Sequence, residues 1–180
     1  MSSEPILRLN NCLVRPWNEG DIESLAKAAD NPRIARWLRN AFPNPYTIQD
    51  AKNWISIANT PSPILDFAIC PLNGSAIIGG IGLKARDDIH YRTMEIGYWI
   101  SEDYWHQGIA TEVVTAFSLW TFENFSHVVR LEAAVFDGNA ASCRVLEKAG
   151  FEFEARQKAA MEKEGKIMDT LTYTKFREGV

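Results

Sequence analysis

Residues 93–112, TMEIGYWISEDYWHQGIATE, pass from a strand pattern through a short polar loop into the start of a long helix. The apolar and aromatic run Thr93–Ile100 predicts the strand, and apolar residues recurring every three or four positions predict the helix Gly108–Phe125. A helix N-terminus leaves about four backbone N–H groups unpaired and carries roughly half a positive charge. The junction therefore predicts an anion site at the start of this helix.

Outward from this junction, the sequence predicts one domain over residues 1–180, a mixed α/β sheet with the element order β-α-α-β-β-β-α-β-α-β-β. Asn73-Gly74 and Glu164-Gly165 are hairpin turn signals. Asp21 is a candidate N-cap. The other strands and helices in this order are Ile6–Arg15, Ile22–Ala29, 47–58, Ile64–Cys70, Ile77–Leu83, Val128–Phe136, Asn139–Ala149, Phe151–Ala160 and Ile167–Phe176. A short helix over residues 31–39 is predicted in addition to these.

The glycine-rich stretch Gly79-Gly80-Ile81-Gly82 has some likeness to a nucleotide-binding loop. No helix follows it, and the last glycine of the GxGxxG pattern is missing. These glycines are therefore predicted to allow bulges or close backbone packing within a sheet.

Composition excludes several classes of protein and partner. The 180 residues include 19 basic and 23 acidic side chains, so there is no basic excess for binding nucleic acid. No apolar run approaches about 18 residues, and Met1–Asn10 lacks the basic-then-apolar pattern of a secretion signal. Three cysteines without a CxxC pair and three dispersed histidines predict neither a disulfide framework nor a metal site. We expect a cytoplasmic protein without a membrane partner, and monomer and homodimer both stay open.

A second strand-to-helix junction lies at residues 137–151, DGNAASCRVLEKAGF. Asn139 stands where the strand ends, and Ser142 falls in the first turn of the helix that follows. A purely structural interpretation makes Asn139 the N-cap and Ser142 a solvated or backbone-bonded serine.

Together, the two junctions resemble the GCN5-related N-acetyltransferase (GNAT) superfamily. That family carries a Gln/Arg-x-x-Gly-x-Gly/Ala loop that binds the pyrophosphate of acetyl-CoA, and residues 105–110 read WHQGIA. The small residues of the motif match, whereas Trp105 replaces Gln or Arg, so the resemblance implies phosphate binding by backbone amides. Residues 95–100 and 139–151 are similar to the branch that acetylates ribosomal-protein N-termini. The implied fold is a mixed sheet whose fourth and fifth predicted strands splay apart.

The resemblance implies acetyl-CoA as co-substrate and no metal. The pantetheine arm would lie between the splayed strands and pair with the backbone of Trp99 and Ile100. Asn139 would hydrogen-bond to a pantetheine amide. The remaining residues assigned to the cofactor are Trp105, His106, Gln107, Gly108, Ile109, Ala110 and Thr111.

The implied reaction is direct attack of an acceptor amine on the thioester. Glu95 is the candidate base, because the period of a strand puts it on the same face as Gly97 and Trp99. Many family members use a tyrosine as the acid, but Leu146 stands at that position. Ser142 matches the alternative of the N-terminal branch and is the candidate proton donor to the thiolate.

The acceptor site is assigned to the proline- and aromatic-rich loop from Arg36 to Tyr46, where family members shape their acceptor cleft. Trp37, Phe42 and Tyr46 are its candidate lining residues, and ordinary core or loop packing is the alternative. The leading acceptor is a protein N-terminal α-amine. A small-molecule amine and a non-catalytic acyl-CoA-binding module are the other interpretations.

Overall fold

The computed structural model describes residues 4–180, so the first three residues of the segment examined for a secretion signal lie outside the described residues. The chain divides into two compact units. Within the described residues, the first comprises residues 4–82 with Tyr98–Ala110, and the second comprises Leu83–Gly97 with Thr111–Val180. The single domain over the whole chain stays a prediction.

Residues 4–180 form eight strands and five α-helices. The strands are β1 Leu7–Arg8, β2 Cys12–Pro16, β3 Asp66–Pro71, β4 Gly79–Ala85, β5 Thr93–Ile100, β6 Arg130–Phe136, β7 Glu152–Lys163 and β8 Lys166–Phe176. The helices are α1 Ile22–Ala29, α2 Pro32–Ala35, α3 Ile48–Ala58, α4 Ile109–Asn124 and α5 Ala140–Lys148. The strand order is β1-β2-β3-β4-β5-β6-β8-β7, with β5 and β6 parallel. The predicted mixed α/β sheet is confirmed.

The prediction of one continuous strand over Ile6–Arg15 is wrong. β1 and β2 form a hairpin in which Leu7 pairs with Val14. The backbone N–H of Leu9 donates to the carbonyl of Cys12 at 2.9 Å and closes the turn. The turn contains two adjacent asparagines, which favour tight turns because their side chains bond to nearby backbone.

The core of the first unit lies where α1 and α3 cover β2 and β3. Thr47 and Asp50 form the capping box that begins α3, with Thr47 Oγ1 accepting from the Asp50 amide at 3.2 Å. Thr47 therefore caps α3. The buried cluster contains Leu13, Trp17, Leu25, Ala26, Ala29, Tyr46, Ala51, Ile55, Ala58, Ala68, Cys70 and Ile77.

Asp21 precedes α1, as predicted, but its side chain makes no cap hydrogen bond. Its two carboxylate oxygens accept from the Arg15 guanidinium, each at 2.7 Å, and one also accepts from the Asn18 amide at 2.9 Å. Arg15 is 7% exposed and Asp21 6% exposed. A bidentate, charge-assisted pair is stronger than a cap hydrogen bond, so the carboxylate turns away from the helix.

Close packing explains the glycines of β4. A β-carbon at Gly79 would overlap the carbonyl oxygen of Trp99, and one at Gly80 would lie 2.8 Å from Nε1 of the same tryptophan. A β-carbon at Gly82 would overlap Oδ1 of Asp66. The predicted close packing within a sheet is confirmed.

The second unit contains the point at which β5 and β6 diverge. The two strands pair in parallel at three positions, the last of which joins Glu95 to Glu132. β6 continues beyond that pair and is matched along its length by β8, from Arg130 opposite Phe176 to Phe136 opposite Thr170. The resemblance to GNAT proteins implied this splay.

No helix within residues 4–180 is both long enough and apolar enough to cross a membrane.

Candidate active site

The loop after β5 is anchored to the beginning of α2. Arg33 forms an ion pair with Glu102, and Asn31 Nδ2 donates to the same carboxylate at 2.7 Å. The Arg33 guanidinium lies 5.3 Å from the centroid of the Trp105 ring, and Trp105 Nε1 donates to the carbonyl of Ile100 at 2.7 Å. Trp105 thus holds the loop together at the position where the family motif has Gln or Arg.

The start of α4 is open and rich in unpaired donors. Among residues 4–180, no acceptor is assigned to the backbone amides of Gly108, Ile109 and Ala110. Gly108 has a φ of +77°, and a β-carbon there would meet nothing within 4 Å. His106 also has a positive φ, +62°. Aligned amides, open space and the helix dipole together suit a pyrophosphate group.

Asn139 caps α5, since its Oδ1 accepts from the Ser142 amide at 3.2 Å. The structural role predicted for Asn139 is therefore confirmed. The cap uses only the side-chain oxygen, and no acceptor is assigned to Nδ2 within the described part of the chain. The amide of Asn139 remains able to donate to a carbonyl group such as those of pantetheine.

Glu95 lies half-buried at the last paired position of β5 and β6, opposite Glu132. Residues in register on parallel strands face the same side of a sheet, so the two carboxylates share one face. Glu132 is neutralised by ion pairs to Arg86 and Arg130. Glu95 therefore stands where the strands begin to separate.

Phe42 and Tyr46, two of the three candidate acceptor residues, belong to an aromatic cluster in the first unit, and Trp37 makes no ring contact with it among residues 4–180. The Phe42 ring lies 4.9 Å from Tyr46 and 5.7 Å from Trp99. Tyr46 is only 6% exposed, belongs to the core and has a pKa raised to about 12 by burial. Phe42 and Trp37 are half-buried, and Trp37 lies under the Arg36 guanidinium at 4.7 Å. The structure thus places Phe42 against Trp99 of β5, and the buried Tyr46 packs against Phe42.

A family model described as Acetyltransferase (GNAT) domain matches residues 11–152. The chain belongs to the GNAT acetyltransferase family. It is an acetyl-CoA-dependent N-acetyltransferase, and this membership favours an enzyme over a non-catalytic acyl-CoA-binding module.

Relatives and solved structures resemble this GNAT acetyltransferase over nearly its whole length. It is 29% identical over 176 residues to the uncharacterized N-acetyltransferase YoaA of Bacillus subtilis strain 168, covering 94% of this chain and 96% of that protein. Mycobacterium smegmatis RimJ in complex with CoA-disulfide matches with a TM-score of 0.83 and 21% identity, covering 99% and 88% of the two chains. RimL, a ribosomal L7/L12 α-N-protein acetyltransferase in complex with coenzyme A, matches with a TM-score of 0.82 and 18% identity, covering 96% and 98%. At these identities, the two structures share the fold.

Sequence reasoning missed Asp66 of β3 in this acetyltransferase. Asp66 is half-buried, its carboxylate lies over Gly82, and burial raises its pKa to about 6. No hydrogen bond or ion pair is assigned to this carboxylate in the part of the chain that the structure describes. The signal available in the sequence was an acidic residue at the head of the apolar run 66–70.

Asp66→Asn is expected to stabilise the acetyltransferase above about pH 6 and to leave its stability unchanged below about pH 4. Because burial raises the carboxyl pKa from 3.8 to about 6, the folded protein binds the proton more tightly than the unfolded chain. The protein with Asp66 therefore loses stability as the pH rises through this range. The Asp66→Asn variant does not, because asparagine has no proton to lose there. Thermal unfolding midpoints of both proteins across the range check the prediction. A shift of equal size at every pH would contradict it.

Proposed function

We propose that this acetyltransferase transfers the acetyl group to the N-terminal α-amine of a protein. Its likeness in fold to the ribosomal L7/L12 α-N-protein acetyltransferase supports this acceptor class. The chemistry agrees, because an α-amine titrates near 8 and a lysine near 10.4, so deprotonation at pH 7 costs about 1.4 and about 4.6 kcal/mol, respectively. One carboxylate base is enough to deprotonate an α-amine at this cost.

The observation that carries the cofactor assignment is the set of unpaired amides at the start of α4. In this proposal, the amides of Gly108, Ile109 and Ala110 bind the pyrophosphate of acetyl-CoA. Nδ2 of Asn139 donates to the pantetheine arm, and the backbone at Trp99 pairs with it. Acetyl-CoA supplies the thioester that the amine attacks.

Two side chains are proposed to move protons. Glu95 accepts the proton of the acceptor amine, directly or through a water molecule. Ser142 donates to the departing thiolate from the first turn of α5. Its own backbone amide is bound to Asn139, which holds the residue in position.

Ser142→Ala is expected to lower kcat by about 100-fold or more, the usual loss for a positioned proton donor, with little change in the KM for acetyl-CoA. The alanine keeps the backbone amide that Asn139 accepts from, so the start of α5 stays intact. Steady-state kinetics against acetyl-CoA measure both constants. The neighbouring Cys143→Ala variant is the control and should keep its kcat. An unchanged kcat in the serine variant would remove Ser142 from the mechanism.

The acceptor class is tested by following thiol release from acetyl-CoA with three sets of amines. The first is peptides with a free α-amine and no lysine, the second is the same peptides with a blocked N-terminus and one lysine, and the third is small primary amines. We expect turnover with the first set and acetylation of the α-amine by mass spectrometry. If only the small amines are turned over, the acceptor is a small-molecule amine and not a protein N-terminus.

A further inference from the structure

Side chains of two other strands, Asp66 of β3 and Trp99 of β5, closely approach one face of β4 in the first unit. Because position 82 is a glycine, the Asp66 carboxylate rests directly over its backbone. Position 80 is also a glycine, and a β-carbon there would lie only 2.8 Å from Nε1 of Trp99. Positions 80 and 82 share a face and are about 6.6 Å apart along an extended strand. A carboxylate and an indole N–H are thus neighbours on this face.

A second tryptophan reaches the same place. Cζ2 of Trp17 lies 3.3 Å from the position of a β-carbon on Gly80. Nε1 is two bonds from Cζ2 in an indole, so its N–H group is also near that glycine. Trp17 is 3% exposed, and its buried Nε1 has no hydrogen-bond partner.

These polar groups lack partners within residues 4–180. No acceptor is assigned to Nε1 of Trp99 or Trp17, and no donor is assigned to the Asp66 carboxylate. Leaving a buried donor unsatisfied is costly, and so is burying a carboxylate without a partner. Unused donors beside an unused acceptor are complementary to a ligand that brings one cationic donor and one oxygen acceptor.

We propose that Asp66 binds the primary ammonium group of the acceptor, while the indole N–H groups of Trp17 and Trp99 donate to the oxygen next to it. An N-terminal residue has this pattern, since its α-ammonium is separated from its first carbonyl by one carbon atom. This proposal rests on the proposed function, because it takes the N-terminal residue of a protein as the acceptor. The Phe42 ring, 5.7 Å from Trp99, adds an apolar wall beside the same group.

Binding is tested first with a probe rather than with a protein acceptor. L-alaninamide contains both the ammonium and the carbonyl, whereas propionamide lacks the ammonium. The indole N–H signals of Trp17 and Trp99, assigned through the single Trp→Phe variants, report binding in a heteronuclear NMR titration. We expect alaninamide to shift both signals saturably and propionamide to leave them in place. Signals that do not move with alaninamide would overturn the site.

Two variants remove the carboxylate from the site in different ways. Asp66→Asn removes its charge, and Gly82→Ala puts a β-carbon where Oδ1 lies while keeping the charge. Each should weaken alaninamide binding by about 10- to 100-fold, the usual effect of losing a hydrogen bond to a charged group. Glu23→Gln, which removes an exposed charge on α1, is the matched control and should bind normally. Unchanged binding in Asp66→Asn would overturn the assignment, even if Gly82→Ala fails to fold.

Kinetics separate this inference from the proposed function. With a peptide that the enzyme acetylates, Asp66→Asn should raise the KM for the peptide by a similar factor and leave the KM for acetyl-CoA unchanged. If peptides are acetylated but the peptide KM does not change, the Asp66 site is wrong and the proposed function stands. If no peptide is acetylated but alaninamide still binds through Asp66, the ammonium site stands and the proposed function is wrong.

Discussion

Gly108→Val is expected to weaken acetyl-CoA binding by at least about 100-fold, since losing two charge-assisted hydrogen bonds of about 1.5 kcal/mol each has that effect. The glycine stands at the start of α4, where the amides of residues 108–110 have no assigned acceptor within the structure's described range. A β-carbon there meets no protein atom within 4 Å, so the valine side chain would project into the open space assigned to the pyrophosphate. Isothermal titration calorimetry with acetyl-CoA measures the loss.

The valine would have a second effect besides blocking the pyrophosphate site. Gly108 has a φ of +77°, which valine adopts poorly, so the substitution also strains the backbone. Gly165, in the turn between β7 and β8, has a φ of +76° and also has nothing within 4 Å of an added β-carbon. Gly165→Val is therefore a matched control with the same strain, about 1–2 kcal/mol. Both variants should lose similar stability, and only the first should lose affinity. Normal acetyl-CoA affinity in Gly108→Val would put the pyrophosphate elsewhere.

Asp21→Ala is expected to lower the free energy of unfolding by about 3–5 kcal/mol, the usual cost of leaving one partner of a buried ion pair alone. Both side chains are less than a tenth exposed, and both carboxylate oxygens are used. The hydrogen bond to Asp21 raises the pKa of Arg15, so the guanidinium stays charged in the folded protein. Without the carboxylate, that buried charge has lost its partner. Urea unfolding of both proteins measures the difference.

An exposed ion pair provides the control for Asp21. Glu154 pairs with Arg130 on the surface of the second unit, and its side chain is 42% exposed. Glu154→Gln should cost less than about 1 kcal/mol, because water and salt screen such pairs. Replacing both buried partners, as in Arg15→Met with Asp21→Leu, should recover much of the loss. Equal losses in Asp21→Ala and Glu154→Gln would mean that burial does not set the strength of the Arg15 pair.

The elements that sequence reasoning located best are those with a strong local pattern. Ile22–Ala29 and Thr93–Ile100 were predicted with the same bounds that the structure has, and α4 differs from its prediction by one residue at each end. The N-terminal hairpin was missed because a strand as short as Leu7–Arg8 has no measurable period. The side chain of Asp21 was assigned as a cap because its partner, Arg15, belongs to another element.

Local sequence was enough to identify the family and the two helix starts with their characteristic residues, Gly108 and Asn139. A turn, a cap or a helix dipole depends on residues within a few positions of one another, so its signal is readable along the chain. Tertiary contacts, and not the local sequence, determine the role of Trp105 as a loop anchor and the position of Asp66. The carboxylate of Asp66 lies over Gly82 because β3 pairs with β4 in that register. Strand register depends on contacts between distant segments, which no local pattern contains.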